Sequence, residues 1–487
     1  MGKADRKDAV TDDAVDPVPL VVDLDGTLVR SDLLVESVFA LLKRNILFVF
    51  VLPLWLAGGR ARFKHEVARR VEIDAGMLPY HEEFLDYLKA EHAAGRSLVL
   101  ATASNERFAG AIAVHLGIFA HVLASDATQN LSGRRKLERL RELFGNDGFA
   151  YAANAMVDLP LWNAARHALL VNPERGVWEA AGQTGRVDRI FDDRTGNPLR
   201  RYLMALRLHQ WLKNLLLFVP LLMAHRFGEP MLVSQALLAF LVFGLCSSSV
   251  YLLNDLLDLP DDRRHPTKRN RPFAAGSISS RGGALLIPAL LIGAFLLAVP
   301  LPTEFIGALA LYYVITLAYS FRLKQAALVD VLTLAALYTI RIIAGAAAVS
   351  VVPSFWLLAF SMFLFLSLAF VKRYTELLVM QQQQRKTSSG RGYTTTDIET
   401  LSQFGSSSAY MAILVLALYI NSQSVRALYT HPEVIWLLCP LLLYLVMRIW
   451  LLARRNELHE DPVVFLIQDR LSQSLVVAGA VLLWLAV

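Results

Sequence analysis

Cysteine is nearly absent: the 487 residues contain two, Cys246 and Cys439, and both lie inside apolar runs. That excludes a disulfide framework and a cysteine metal site, and the thiols read as small packing residues. Charge is scarce as well. Charged residues make up 18% of the chain against 55% hydrophobic, and the mean hydropathy is +0.43. An ordinary soluble domain is less apolar, so the chain is expected to be an integral membrane protein. The segment from Met1 to Pro19 has mixed charge and lacks the apolar core of a secretory signal. Residues 1–18 are therefore expected to form a disordered cytoplasmic leader. A net charge of +6 does not point to nucleic acid, because the basic residues cluster beside apolar segments. Anionic lipid headgroups and phosphorylated substrates account for them better.

What is present divides the chain in two. The first 170 or so residues alternate strand-like and helix-like patterns, whereas from about Leu203 a series of apolar stretches begins, each long enough to cross a bilayer. The expected domains are an α/β domain over residues 19–171, a linker over 172–201 and an all-α transmembrane bundle over 202–487. The linker is read from Pro173, Gly176, Gly182, Gly185, Gly196 and Pro198 among many charges. Nine spans are expected, at about 206–224, 232–253, 283–300, 303–321, 327–349, 353–371, 408–425, 433–453 and 471–487. Alternate connections carry Lys268, Arg269, Arg271, Arg322, Lys324, Lys372, Arg373, Arg385, Lys386, Arg391, Arg454 and Arg455, and the opposite ones little beyond Arg226 and Arg426. The positive-inside rule then puts the basic loops and the N-terminal domain in the cytoplasm, with Val487 on the far side.

One loop concentrates chemistry. Asn254-Asp255-Leu256-Leu257-Asp258-Leu259-Pro260-Asp261-Asp262 ends an apolar segment, and a basic run from Arg263 to Arg271 follows at once. Residues 254, 255, 258, 261 and 262 recur at three- and four-residue spacings, so they share one helical face. Mg²⁺ takes one or two carboxylates plus substrate phosphates, and Lys or Arg holds the remaining phosphate charge. The pattern points to a magnesium and diphosphate site at a membrane surface. The plainer alternative is a solvated acidic turn, but a dense carboxylate cluster against hydrocarbon is costly unless functional.

Near the N-terminus, Pro19-Leu20-Val21-Val22-Asp23-Leu24-Asp25-Gly26-Thr27 is a buried-strand run ending in two aspartates spaced by one residue. It resembles the first motif of haloacid dehalogenase-type phosphatases. The resemblance implies that Asp23 attacks phosphorus and Asp25 acts as general acid and base. Companions follow in order. Leu98-Val99-Leu100-Ala101-Thr102 is a second strand ending in a hydroxyl for phosphoryl oxygens, with Ser104 as competitor, and Lys136 supplies an ammonium. Residues Tyr151 to Pro160 supply the acidic loop, so Asp23, Asp25, Asn154 and Asp158 form the expected Mg²⁺ set. Family members carry Gly-Asp where this chain has Ala153-Asn154. Asn154 keeps an oxygen ligand but loses a charge, which leaves a phosphate-binding or degenerate domain as the alternative to an active phosphatase. Between the first two motifs, an apolar run from Asn45 to Leu56 is flanked by Lys43, Arg44, Arg60, Arg62 and Lys64. It is either a helix of the cap core or an interfacial hairpin that docks the domain onto the membrane.

The acidic loop at Asn254–Asp262 resembles the first aspartate-rich motif of the UbiA superfamily of intramembrane prenyltransferases. A second polar constellation comprises Tyr319, Ser320, Arg322, Lys324, Asp330 and Arg341. Arg341 lies in an otherwise apolar helix, where it either pairs with Asp330 or lines a substrate cavity. Aromatic prenyltransferases of the superfamily usually have a second aspartate-rich cluster here, and this chain offers only Asp330. It looks instead like the decaprenyl-phosphate phosphoribosyltransferase branch. Arg207-Leu208-His209-Gln210-Trp211-Leu212-Lys213-Asn214, Asn254 to Arg269, Tyr319-Ser320 with Lys324, Lys372-Arg373-Tyr374-Glu376 and Gly392-Tyr393-Thr394 carry that likeness.

The branch implies phosphoribosyl pyrophosphate as donor and a polyprenyl phosphate lipid as acceptor. Asn254, Asp255, Asp258 and Asp262 are the expected Mg²⁺ ligands. Lys268 and Lys324 would neutralise pyrophosphate, Lys213, Arg341 or Lys372 would orient the acceptor phosphate, and Arg269 joins the substrate-binding set. Tyr319, Asp330, Arg373 and Tyr393 complete the substrate-binding set. The phosphatase domain would then remove the 5-phosphate from the lipid product, since a fusion keeps both sites at high effective concentration. Two other readings stand beside this one: a transferase moving an isoprenoid from its diphosphate to an aromatic acceptor, and a weakly catalytic, phosphate-sensing scaffold.

Overall fold

The computed structural model describes residues 18–183, 185–194, 197–383, 391–422, 429–458 and 461–486. The expected leader up to Asp16-Pro17, the loop residues Arg385, Lys386 and Arg426, and the terminal Val487 lie outside the described residues. The chain forms two compact units. One holds the described part of Met1–Ala205 together with Asp255–Ala284, and the other holds Leu206–Asn254 and Leu285–Val487.

The first unit is built on a six-stranded parallel sheet of order β3-β2-β1-β4-β5-β6. The strands are β1 (Leu20–Val22), β2 (Leu98–Asn105), β3 (His121–Ser125), β4 (Ala150–Ala153), β5 (His167–Val171) and β6 (Val187–Phe191). The central β1 is apolar throughout because parallel sheets are covered on both faces. Leu20 and Val22 join one core with Leu100 and Phe84, while Val21 joins the opposite core with Tyr151 and Trp162. Chain order reverses beside β1, and ligands of such sheets bind beyond the carboxyl ends of the strands at that point. Asp23 and Asp25 sit there.

The stretch 172–201, expected as a linker, instead contributes a short helix (Val177–Gly182) and the edge strand β6, which pairs with β5 from Ala168↔Val187 to Val171↔Phe191. Its glycines punctuate short elements rather than separate domains. Exposed Asp188 and Arg189 on an edge strand also hide the apolar period. The cap helices are α1 (Leu33–Arg44), α2 (Phe48–Ala57) and α3 (Arg60–Ala68). No residue of α2 is buried, and Phe50 and Leu54 are 74% and 70% exposed. The cap-core reading of this run therefore does not hold.

Residues 255–284 pack into this same unit. Glu36 of α1 forms a fork with Arg263, at 2.9 Å from Nη1, and both side chains are buried. Gly276 is left-handed (φ 66°), and a Cβ there would lie 2.6 Å from Cβ of Arg30, so only glycine lets the loop approach so closely.

The second unit is helical. Seven described helices are long and apolar enough to cross a membrane: Pro230–Leu257, Ser280–Ala298, Thr303–Phe321, Val329–Ala348, Phe355–Gln382, Thr395–Ile420 and Glu433–Arg454. The pair Pro462–Gln468 and Arg470–Ala486, bent by 79°, makes an eighth if it is one broken span. Nine were expected. The one that fails is 206–224, which forms a 3-10 segment (Leu208–Phe218) and a short helix (Val219–Met223). Pro220 interrupts it, and the buried polar pair Lys213 and Asn214 is spent on partners inside the bundle.

Candidate active sites

At the strand ends of the first unit, Asp23 and Asp25 border a cavity of about 470 Å³, lined also by Lys136, Asn154 and Asp158. The turn after β1 is short because Gly26 takes φ 81°, and a Cβ there would meet the Asn154 amide at 2.5 Å. Asn154 in turn accepts a hydrogen bond from Thr27 Oγ1 at 3.3 Å. Lys136, on the helix Arg134–Phe144, donates to Asp23 at 2.7 Å and to the Tyr151 hydroxyl at 3.0 Å. Tyr151 donates onward to Asp158 at 2.9 Å, and Lys136 lies 3.9 Å from Asp158. One buried ammonium thus serves two carboxylates.

Asp25 accepts from Leu33 N–H at 2.7 Å and from Ser104 Oγ at 2.6 Å. Burial and the nearby Asp32 push its carboxyl up to about 7, against the pull of those two hydrogen bonds. Burial, with Asp23 beside it, likewise pushes Asp158 up to about 6. Asp25 therefore holds or yields a proton near neutrality, as a general acid and base requires. Thr102 is fully buried and accepts from Ser104 N–H at 3.0 Å, so Ala103 rather than Thr102 lines the cavity, and the hydroxyl that reaches the acidic pair is that of Ser104.

The aspartate-rich loop lies on the last turns of the helix Pro230–Leu257 and on the helix Leu259–Arg264. Arg271 bridges Asp255 at 3.2 Å and Asp262 at 2.7 Å. Lys43 of the cap bridges Asp258 at 2.7 Å and Asp261 at 2.8 Å. Neither cation was singled out for that role in the sequence. Lys268 adds positive potential at Asp262, and Arg269 sits beside it in the turn Lys268–Asn270. Asn254 is half-buried one residue before Asp255. Among the described residues no three acidic, histidine or cysteine side chains converge as a ready metal cage. The donor set still suits Mg²⁺, which takes few protein carboxylates and completes its shell with phosphate oxygens and water.

Inside the helical unit, two polar centres are formed. Asp461 accepts from Lys213 at 2.7 Å and from Lys372 at 3.0 Å, with the Tyr338 hydroxyl at 3.4 Å. Here one buried carboxylate serves two ammonium groups. Arg341 donates to Asn214 at 3.1 Å, to the Tyr312 hydroxyl at 3.1 Å and to the Leu337 carbonyl, and it stacks near the rings of Tyr312, Tyr338 and Phe243. Among the described residues Arg341 has no carboxylate at ion-pair distance. Asp330 is taken instead by Arg373 and by Tyr319, whose hydroxyl donates at 2.7 Å. Arg373 also pairs with Glu376, which Arg391 shares.

Tyr393 accepts from Leu328 N–H at 2.9 Å and steadies the turn before Val329–Ala348. Lys324 lies in the preceding turn Leu323–Gln325. Asp461 was missed by sequence reasoning. Its only local signal is Asp-Pro before a short apolar run, the mark of a helix N-cap, a position it also fills at 3.2 Å from Val463 N–H.

The profile of the UbiA prenyltransferase family matches residues 215–468, and that of haloacid dehalogenase-like hydrolases matches residues 20–162. The Sinorhizobium fredii protein y4nM is 38% identical over 459 residues, covering 93% of this chain and 88% of its own length. A decaprenyl-phosphate phosphoribosyltransferase of Mycolicibacterium smegmatis is 36% identical over 199 residues, which are 39% of this chain and 61% of that protein. A solved UbiA homologue from Archaeoglobus fulgidus, bound to GPP and Mg²⁺, aligns over 58% of this chain and 99% of its own, at 17% identity and a TM-score of 0.45.

Proposed function

The chain belongs to the UbiA prenyltransferase family and carries a haloacid dehalogenase-like hydrolase domain, and we propose that it makes a polyprenyl phosphoryl ribose in two steps. The transferase moves 5-phosphoribose from phosphoribosyl pyrophosphate to a polyprenyl phosphate, and the hydrolase removes the 5-phosphate from the lipid product. The observation that carries this reading is the balance of charge in the helical unit. Asp330, the only candidate for a second aspartate cluster, is spent on Arg373 and Tyr319, while Lys213, Lys372 and Arg341 outnumber Asp461. Such a centre suits an anionic acceptor rather than a second metal. The similarity to a decaprenyl-phosphate phosphoribosyltransferase supports the same substrates.

In the first step an oxygen of the lipid phosphate bonds to C1 of the ribose as the bond to pyrophosphate breaks. Bound at Asp255, Asp258 and Asp262, Mg²⁺ would supply positive charge to the departing pyrophosphate. Lys268, Arg269 and Lys324 add to that charge, and Lys213 and Lys372 orient the acceptor. In the second step Asp23 attacks phosphorus while Asp25 gives a proton to the departing ribose oxygen. Asp25 then takes a proton from the water that opens the aspartyl phosphate. Lys136, held by Tyr151, positions Asp23, and Asn154 and Asp158 are the remaining oxygen donors for Mg²⁺ in this cavity. The basic loops support a cytoplasmic placement of both sites.

The test is direct. Membranes containing the protein are given phosphoribosyl pyrophosphate labelled in the ribose, with polyprenyl phosphate, and ribosyl label is expected in the lipid phase. Label that enters the lipid phase only from a labelled isoprenoid diphosphate would replace this reading with the prenyltransferase one.

A further inference from the structure

The phosphatase cavity is larger than a phosphate needs, and its far wall is not made by the phosphatase domain alone. Residues Ala275 to Arg281, which follow the aspartate-rich motif in the transferase sequence, line it together with Arg30, Ser31, Asp32 and Arg201. The loop is seated firmly. Gly276 packs on Arg30, Ser280 Oγ accepts from Asp32 N–H at 3.2 Å, and Arg201 Nη1 donates to the Ser277 carbonyl at 2.9 Å.

This wall is rich in donors that lack acceptors. Nε of Arg30, Nε of Arg201 and Oγ of Ser31 are buried without a hydrogen-bond partner, and Ser31 is only 5% exposed. Buried polar groups are nearly always satisfied, so three orphans in side chains that line one cavity mark a place where a ligand would supply acceptors once those side chains turn toward it. Arg281 adds to them. Its Nε pairs with Asp32, which sits next to the Leu33 N–H that binds Asp25, and the rest of its guanidinium reaches open space, the side chain being 68% exposed. Acidic groups also face the wall: Asp193 pairs with Arg30 and Asp32 with Arg281, while Glu174 lines it too. Arg201 has no carboxylate partner among the described residues.

We propose that Arg30, Ser31, Arg201 and Arg281 form a second anion subsite in the phosphatase cavity, which holds a non-scissile phosphodiester of the substrate while Asp23 attacks its terminal phosphate. The subsite makes the hydrolase selective for a sugar phosphate that carries two phosphorus groups. Because Arg281 and the loop from Ala275 come from the transferase segment, the hydrolase reads a product of the kind the transferase makes. That assignment rests on the two-step reading above. Guanidinium groups lining one cavity suit a phosphodiester, since planar forks grip two phosphate oxygens at once.

Calorimetry on the full-length protein in detergent, carrying D23N so that nothing is hydrolysed, compares ribose 5-phosphate with its 1-(methyl phosphoryl) derivative. The derivative is expected to bind at least tenfold more tightly, and the preference is expected to fall to near one in D23N/R281A and in D23N/R201A. The exposed Arg281 side chain makes the first double variant tolerant of folding, and an unchanged melting temperature checks it. Equal affinities in the D23N parent, or a preference that survives both arginine changes, would overturn the subsite. Failure of the phosphatase reading looks different: with Asp23 intact, neither compound releases phosphate, while the binding comparison still decides the subsite.

Discussion

The two sites solve opposite electrostatic problems with the same parts. In the hydrolase one ammonium, Lys136, is shared by Asp23 and Asp158, and Asp25 stands beside them. In the helical unit one carboxylate, Asp461, is shared by Lys213 and Lys372, and Arg341 stands beside them. The first arrangement leaves negative charge to be met by a cation together with phosphate. The second leaves positive charge, which under the proposed function an anionic headgroup would meet. Each buried excess is costly until its ligand arrives, so charge balance tells the two ligands apart before any substrate is seen.

Removing one carboxylate from each triad separates the two activities. D23N is expected to lower phosphate release by three or more orders of magnitude, on the order of the losses seen for other nucleophiles, while ribosyl transfer to lipid proceeds. A phosphate-release assay and a lipid-extraction assay on the same membranes read both. D461A leaves the buried Lys213 ammonium without its counterion, beside the part-exposed Lys372, and it is expected to destabilise the helical unit by about 3 kcal/mol and to abolish transfer. Thermal unfolding in detergent measures the first effect. K213M removes one cation and keeps the Asp461–Lys372 pair. A lost charge-assisted hydrogen bond is worth about 1.5–3 kcal/mol, so half-saturation by polyprenyl phosphate should rise roughly 10–150-fold.

Restoring charge sharpens the other side. N154D is expected to lower the Mg²⁺ concentration that half-saturates phosphate release by about tenfold, with the fold unchanged, because aspartate fits the same space against Gly26 and Thr27. A rise in that concentration would show that Asn154 faces phosphate rather than metal. The smallest effect is expected for K43A. Its pairs with Asp258 and Asp261 are part-exposed, so stability should change by no more than about 1 kcal/mol.

These contrasts were unevenly legible in the sequence. Asp23, Asp25, Lys136 and Asp158 each close a strand or open a helix within a short apolar pattern, so local spacing alone brings them to one end of a parallel sheet. Asp255, Asp258 and Asp262 are legible for the same reason, as a helical repeat. Asp461 is not, because a single Asp before Pro looks like any N-cap and its lysines are 248 and 89 residues away. Lys43 read as a membrane-flanking charge, yet it serves two aspartates more than 200 residues distant. The edge strand Val187–Phe191 is concealed by its own exposed charges, and residues 206–224 have the apolar length of a span but hold Lys213 and Asn214, which find partners inside the bundle. The loop 275–281 carries no motif at all. Only its packing against Arg30 reveals that it borders the phosphatase cavity.

Coupling of ribosyl transfer to removal of the 5-phosphate within one chain is tested by double labelling. Phosphoribosyl pyrophosphate carrying ¹⁴C in the ribose and ³²P at the 5-position is given with polyprenyl phosphate to membranes bearing the full-length protein. Coupled activity gives ¹⁴C in the lipid phase with little ³²P, a matching amount of ³²P as inorganic phosphate, and equal ¹⁴C and ³²P in the lipid when D23N replaces the parent. Equal label in the lipid from the parent, or ³²P release without any ¹⁴C entering lipid, would contradict it.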